Sequence, residues 1–88
     1  MTRKNIKCRI IDAIKEHGRA GYIQYHKLAE LVFPESDFPN AWRKPNRGGP
    51  PGCYMVLTRA LDRYGFYISL DMEGRGGPYR TVGLGQNN

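Results

Sequence analysis

The side chains best suited to chemistry in this sequence are basic, and they lie in two blocks. Fourteen Lys and Arg residues stand against eight Asp and Glu residues, which gives a formal net charge of +6 and a pI near 9.6. Residues 1–20 hold six basic and two acidic side chains, and residues 41–65 hold five and one. A basic domain of this size typically binds an anion, most often nucleic acid, although the same charges also keep a protein soluble.

The second block contains a basic loop. Arg43, Lys44 and Arg47 alternate with proline and glycine, and flexible basic segments of this kind follow a phosphate backbone and give salt-dependent affinity. Trp42 precedes them, and it either stacks on a base or anchors the loop to the body of the domain. We favour the anchor.

Catalytic and metal chemistry find less support. Cys53 lies near a predicted helix N-terminus, which favours a thiolate, but no base accompanies it. Cys53 could bind zinc only together with Cys8, His17 and His26, and these four residues lack the close spacing of a zinc site. Asp71 and Glu73 are typical of a solvated turn rather than a magnesium site. We therefore expect no enzyme activity, no cofactor and no metal.

Length and composition restrict the class of protein. Eighty-eight residues predict one domain, ordered over about 3–84, and 40% hydrophobic with 25% charged residues is typical of a globular chain. No apolar run reaches the roughly 18 residues of a membrane span, and no secretory signal is evident. Because two cysteines make no disulfide framework, we expect free thiols and a cytoplasmic or nucleoid-associated protein.

Hydrophobic spacing predicts an α+β chain with three helices and a C-terminal β-hairpin. The predicted elements are a helix over 3–17, a short strand over 21–25, a helix over 26–33, a basic Pro/Gly-rich loop over 34–52, a helix between Pro51 and Gly65, and strands over 66–70 and 79–84. We expect Thr2 to cap the first helix and Gly18 to end it in a left-handed conformation. The predicted core consists of Ile6, Ile10, Ile14, Leu28, Val32, Leu57, Leu61, Phe66 and Ile68.

This element order resembles the winged helix-turn-helix superfamily over about residues 3–84. The local phrases that carry the resemblance are YHKLAEL at 25–31, VLTRAL at 56–61 and YGFYI at 64–68. One departure stands out, because the usual tight turn between the second and third helices is replaced by roughly residues 34–50.

The resemblance implies that the third helix enters the major groove of DNA. It then offers Thr58 and Arg59 to base edges and Arg63 to a phosphate, although Asp62 beside them repels phosphate. Arg75 at the hairpin tip would reach a minor groove, unless neighbouring acidic residues make the tip a neutral turn.

We therefore expect a small basic winged-helix protein that binds double-stranded DNA, as a regulator of transcription or a nucleoid factor. The alternative is a winged-helix protein-interaction module, such as a mobile-element protein that binds a host nucleic-acid-handling or defence complex. Exposed aromatic residues favour that alternative, with Trp42 and Tyr54 as partner-binding residues. RNA binding is a third interpretation, and no membrane is implied.

Overall fold

The computed structural model of the protein describes residues 5–44 and 48–85. Its regular elements are the helices α1 (Ile6–His17), α2 (Tyr25–Val32) and α3 (Gly52–Arg63) and the strands β1 (Tyr22–Gln24), β2 (Tyr67–Ser69) and β3 (Thr81–Gly83). Single 3-10 turns cover Pro39–Trp42 and Gly77–Tyr79. The predicted α+β class, with three helices and a C-terminal hairpin, is confirmed, and the arrangement is compatible with a winged-helix-like small domain.

The start of α1 differs from the prediction. The helix begins after Asn5, whose side-chain oxygen accepts a hydrogen bond from the Cys8 amide at 2.8 Å. This N-cap satisfies an amide that has no partner within the helix. The predicted cap, Thr2, lies outside the described residues.

The end of α1 is placed correctly, but the predicted reason for its glycine is wrong. Gly18 has φ −84°, so it is extended rather than left-handed. A Cβ at this position would lie 2.5 Å from the carbonyl oxygens of Ile14 and Tyr22. Glycine is therefore required because two backbone segments approach closely, and not because of an unusual dihedral angle.

The end of α3 follows its prediction. Gly65 has φ 73° directly after the C-cap residue Tyr64. The Phe66 amide donates to the Leu61 carbonyl at 2.9 Å, and the Gly65 amide donates to the Asp62 carbonyl at 3.3 Å. These two bonds form a Schellman motif, which satisfies carbonyls that the helix leaves unpaired. The motif turns the chain directly into β2.

The sheet places β3 between β1 and β2, with both pairings antiparallel. Ile23, Val82 and Ile68 lie side by side across the three strands and face the helices. The strand predicted over 79–84 is shorter than expected, because Tyr79 belongs to the 3-10 turn before β3. β1 thus joins the C-terminal hairpin to the helical half of the domain.

The core forms between the sheet and all three helices. Seven of the nine predicted core residues are buried, while Ile6 and Ile68 are partly buried against them. Tyr25, which the predicted core does not include, is also buried, and hydrophobic spacing alone does not predict the hydrogen bonds of its hydroxyl. Its ring is fully buried, and its hydroxyl bonds to the Tyr54 carbonyl at 2.6 Å and to Thr58 Oγ1 at 2.7 Å. A buried hydroxyl needs such partners because it has lost water.

The helices are short. α1 and α3 have 12 residues each and α2 has eight. Within residues 5–44 and 48–85, no helix has the length and apolar character needed to cross a lipid bilayer.

Candidate nucleic-acid interface

A groove of about 940 Å³ lies between α3, the loop that precedes it and the turn that precedes β3. We call it the basic groove, and its charged lining consists of Arg43, Lys44, Arg59 and Arg80. Its other walls are contributed mainly by Pro50, Pro51, Tyr54, Met55 and Thr58. Among the described residues, no Asp or Glu lines this groove. Three of the residues predicted to bind phosphates and bases, Arg43, Lys44 and Arg59, are therefore brought together on one face.

The two loop cations and Arg59 are exposed. Within the described part of the chain, no hydrogen bond or ion pair engages the side chains of Arg43, Lys44 and Arg59. Arg59 lies one helical turn after Met55, whose side chain is 61% exposed. Residues four positions apart share a helix face, so this arginine and this apolar side chain face the groove together.

Arg80 is the groove residue that sequence reasoning missed. Its guanidinium lies 4.3 Å from the centre of the Tyr25 ring, and its Nε donates to the Gly77 carbonyl at 3.0 Å. These contacts hold the side chain in place while it lines the groove. The alternation predicted for β3 does place Arg80 on the same side as buried Val82, but sequence alone does not reveal that this side meets α3.

Thr58 lines the groove but is not oriented as predicted. The side chain is half-buried, and its hydroxyl lies 2.7 Å from the Tyr25 hydroxyl. This hydroxyl is therefore engaged inside the domain rather than presented to a base edge. Of the α3 side chains that line the groove, those of Met55 and Arg59 are exposed.

The two predicted partner-binding aromatic residues hold the long loop against the body. Trp42 is half-buried, and its Nε1 donates to the Phe33 carbonyl at 2.5 Å, so it anchors the loop as expected. Tyr54 is only 7% exposed, and its hydroxyl lies 2.5 Å from His26 Nδ1. Burial raises the pKa of the Tyr54 hydroxyl. Tyr54 is therefore buried rather than exposed as expected, and its role in binding a partner stays a prediction.

Two further predicted arginines, Arg63 and Arg75, do not line the groove. Arg63 is exposed in the last turn of α3, with its guanidinium 5.7 Å from the Tyr64 ring centre. Arg47 falls outside the described residues. Arg75 lies at the tip between β2 and β3, in different electrostatic surroundings.

Arg75 is bound within the tip itself. Its Nε lies 2.6 Å from Asp71 Oδ2 and 3.3 Å from Glu73 Oε2, and its guanidinium lies 4.2 Å from the Tyr79 ring centre. Desolvation acts to raise the pKa of Asp71, but hydrogen bonds from Arg75 and Glu73 outweigh it and hold that pKa below its ordinary value. This geometry fits the neutral-turn alternative for the tip.

The two cysteines and the two histidines considered as metal ligands all lie in the described part of the chain. Cys53 is buried and Cys8 is exposed, and both are free thiols. Burial raises the pKa of the Cys53 thiol, which disfavours the reactive thiolate despite the nearby helix N-terminus. Residues 5–44 and 48–85 contain no group of three His, Cys, Asp or Glu side chains that could hold a metal ion.

The fold and the groove together define a small basic α+β domain with one strongly cationic concave face. No family model, no curated protein and no solved structure matches the chain. Its function is therefore inferred from the chemistry of the groove itself.

Proposed function

We infer that this protein binds double-stranded DNA through the basic groove and acts as a DNA-binding regulator. The observation that carries this proposal is the convergence of four cations on a groove that no described carboxylate lines. Duplex DNA carries a dense line of phosphate charge, and release of its counterions favours binding to such a surface. An α-helix also fits the width of the major groove, and α3 forms one wall of the basic groove.

The groove residues divide into two roles. Arg59 projects from α3 and suits the O6 and N7 acceptors of guanine, which an arginine can contact in a bidentate manner. Arg43, Lys44 and Arg80 suit phosphates of the DNA backbone. The α3 N-terminus at Gly52 also lines the groove, and its helix dipole favours an anion.

A binding titration tests the proposal. Duplex DNA, single-stranded DNA and structured RNA are titrated with the protein at two salt concentrations. We expect duplex DNA to bind most tightly, with an affinity that falls steeply as salt rises. The matched variants are Arg59→Ala, inside the groove, and Arg63→Ala, an exposed arginine of the same helix outside it. Equal losses in both variants, or no binding to the duplex, would refute the assignment.

A protein-interaction function is the second candidate, and a separate surface favours it. Tyr22 and Tyr67 lie edge to face with ring centres 5.6 Å apart on the outer side of the sheet, and both are about half exposed. Leu70 and Met72 are exposed in the same hairpin. Such aromatic and apolar side chains are common in protein interfaces. A pull-down after nuclease treatment tests this function: a stoichiometric partner that no longer binds the Tyr67→Ala variant would support it.

A further inference from the structure

A second cleft, of about 530 Å³, adjoins the basic groove. The two share Lys44, Pro50, Pro51 and Tyr54 as lining residues, so they are continuous along the protein surface. We call this second space the aromatic cleft. A ligand that is both aromatic and anionic can therefore occupy the cleft with its ring and contact the basic groove with its charge.

Four of the residues that line the aromatic cleft have aromatic side chains. Trp42, Tyr54 and His26 pack against one another with centroid separations of 5.8 to 6.2 Å. Trp42 is fixed by its bond to the Phe33 carbonyl. The ring of Tyr79, about half exposed, lines the same cleft. Aromatic walls held in place before binding favour a planar ligand, because little side-chain entropy is lost when it stacks.

Besides Lys44 and the rings, two exposed polar side chains line the cleft. Gln24 and Glu35 line it alongside the rings. His26 is already paired, with Nε2 3.1 Å from Glu30 and Nδ1 on the Tyr54 hydroxyl. Glu35, in contrast, has no ion pair or side-chain hydrogen bond within the described part of the chain. Its carboxylate remains an acceptor for a ligand that presents hydrogen-bond donors.

We propose that the aromatic cleft holds one unpaired guanine, with the phosphate of that nucleotide at Lys44. Unpaired bases stack on aromatic side chains in protein complexes with nucleic acids. Guanine presents N1–H and N2–H₂ side by side, which matches the two oxygens of the Glu35 carboxylate, whereas thymine presents a single N–H. The volume of the aromatic cleft lies within the range of small-molecule sites, and it can hold a base together with its sugar. The assignment depends on the proposed function, since the neighbouring duplex occupies the basic groove.

The experiment uses three DNA duplexes that differ at one position: fully paired, with a single unpaired guanine, and with a single unpaired thymine. Trp42 is the sole tryptophan in the sequence, so its fluorescence reports on the cleft directly. We expect the unpaired guanine to bind about tenfold more tightly than the paired duplex and to quench Trp42, since one bidentate contact discriminates bases to about this extent. Glu35→Gln should abolish the preference for guanine over thymine without weakening affinity for the paired duplex.

Glu16→Gln, on the exposed side of α1, is the matched control and should behave as wild type. Equal affinity for all three duplexes, or a guanine preference that survives Glu35→Gln, would overturn the assignment of the cleft. Guanosine monophosphate and uridine monophosphate, titrated alone, separate the two proposals. Selective quenching by the guanine nucleotide without any duplex binding would reject the proposed function alone. Duplex binding without selective quenching by either the unpaired guanine or the mononucleotide would reject the cleft alone.

Discussion

Arg59 and Arg75 are both exposed arginines in segments that the winged-helix resemblance predicts to contact DNA, yet their surroundings differ. Arg59 faces a groove shared with Arg43, Lys44 and Arg80, and no carboxylate among the described residues lines it. Arg75 lies 2.6 Å from Asp71 and stacks on Tyr79. The two arginines contribute equally to the net charge of the sequence. Only the first has a charge that is left uncompensated where a polyanion would bind.

Local spacing decides whether each of these cations is available. Asp71 and Arg75 are four residues apart in a tight turn, where the aspartate also accepts hydrogen bonds from two backbone amides. The turn therefore fixes the carboxylate at the place where the guanidinium approaches it. Asp62, in contrast, lies three residues after Arg59 on α3 but forms no ion pair with it in the described part of the chain.

The largest expected effect comes from removing the packing that holds α3. Leu61 is fully buried in the core, so Leu61→Ala should cost about 2–5 kcal/mol of unfolding free energy, because burial is reduced and a cavity remains. Val56→Ala is the control, because Val56 is half exposed on the same helix and should cost far less. Chemical denaturation measures both. A wild-type stability for the Leu61 variant would contradict the core and, with it, the groove that α3 lines.

The next effect tests the two arginines against each other. If Arg59 contacts a guanine edge, Arg59→Ala should cost about 1–3 kcal/mol on a preferred duplex and little on scrambled DNA. Arg75→Ala should leave both affinities close to wild type, because its charge is already paired. Competition binding after selection from a random duplex pool provides the measurement. A larger loss from Arg75→Ala would reverse the comparison.

A smaller effect concerns the loop cations. Replacing Arg43, Lys44 and Arg47 with Ala should reduce the slope of log affinity against log salt by about 0.9 for each phosphate that the variant no longer neutralises. Arg63→Ala, outside the groove, should leave that slope unchanged. An unchanged slope in the triple variant would instead assign these residues to solubility or to a protein partner.

Sequence periodicity predicted the elements well because each helix and strand buries a regular face. It also predicted the end of α3, since Gly65 has the left-handed conformation that a Schellman motif requires. Contacts between segments that are distant in the sequence could not be predicted from periodicity. The burial of Tyr54 depends on His26, 28 residues away, and the direction of Thr58 depends on the Tyr25 hydroxyl. Neither pairing leaves a periodic pattern in the sequence.

The residues of the candidate site likewise include some that the sequence predicts and one that it does not. Arg43, Lys44 and Arg59 could be selected from the sequence because clustered basic residues on a loop and a helix are recognisable. Arg80 could not, because the turn before β3 brings it to the groove from a distant part of the sequence. The neutral character of the tip was an open alternative in the sequence, and the distances to Asp71 and Glu73 favour it.

The smallest effect converts the tip into a second cationic site. Asp71→Asn together with Glu73→Gln removes both carboxylates that contact Arg75. We expect duplex affinity to rise slightly and its salt slope to steepen by about 0.9, the contribution of one additional phosphate contact. Adding Arg75→Ala to the double variant should cancel the change. A gain that persists without Arg75 would mean that general charge, rather than this arginine, is responsible.

The contact between Asp71 and Arg75 predicts how the wild-type tip responds to pH. The pKa of Asp71 is lower in the folded chain than its ordinary value of 3.8, so the pairing stabilises the fold fully above that value and is lost only as pH falls through the lower, folded pKa. Asp71 should therefore stay ionised and paired with Arg75 throughout the neutral and mildly acidic range, and Arg75 should add nothing to the salt slope at pH 5 or at pH 7. Carbon-detected NMR of the Asp71 carboxyl group, compared in wild type and Arg75→Ala, measures the shift directly. A higher pKa for Asp71 in the arginine-free variant is the expected result, because the variant lacks the guanidinium that donates a hydrogen bond to the charged form. An identical pKa in both proteins would show that Arg75 is not held by Asp71 in solution, and Arg75 would then become as available to DNA as Arg59.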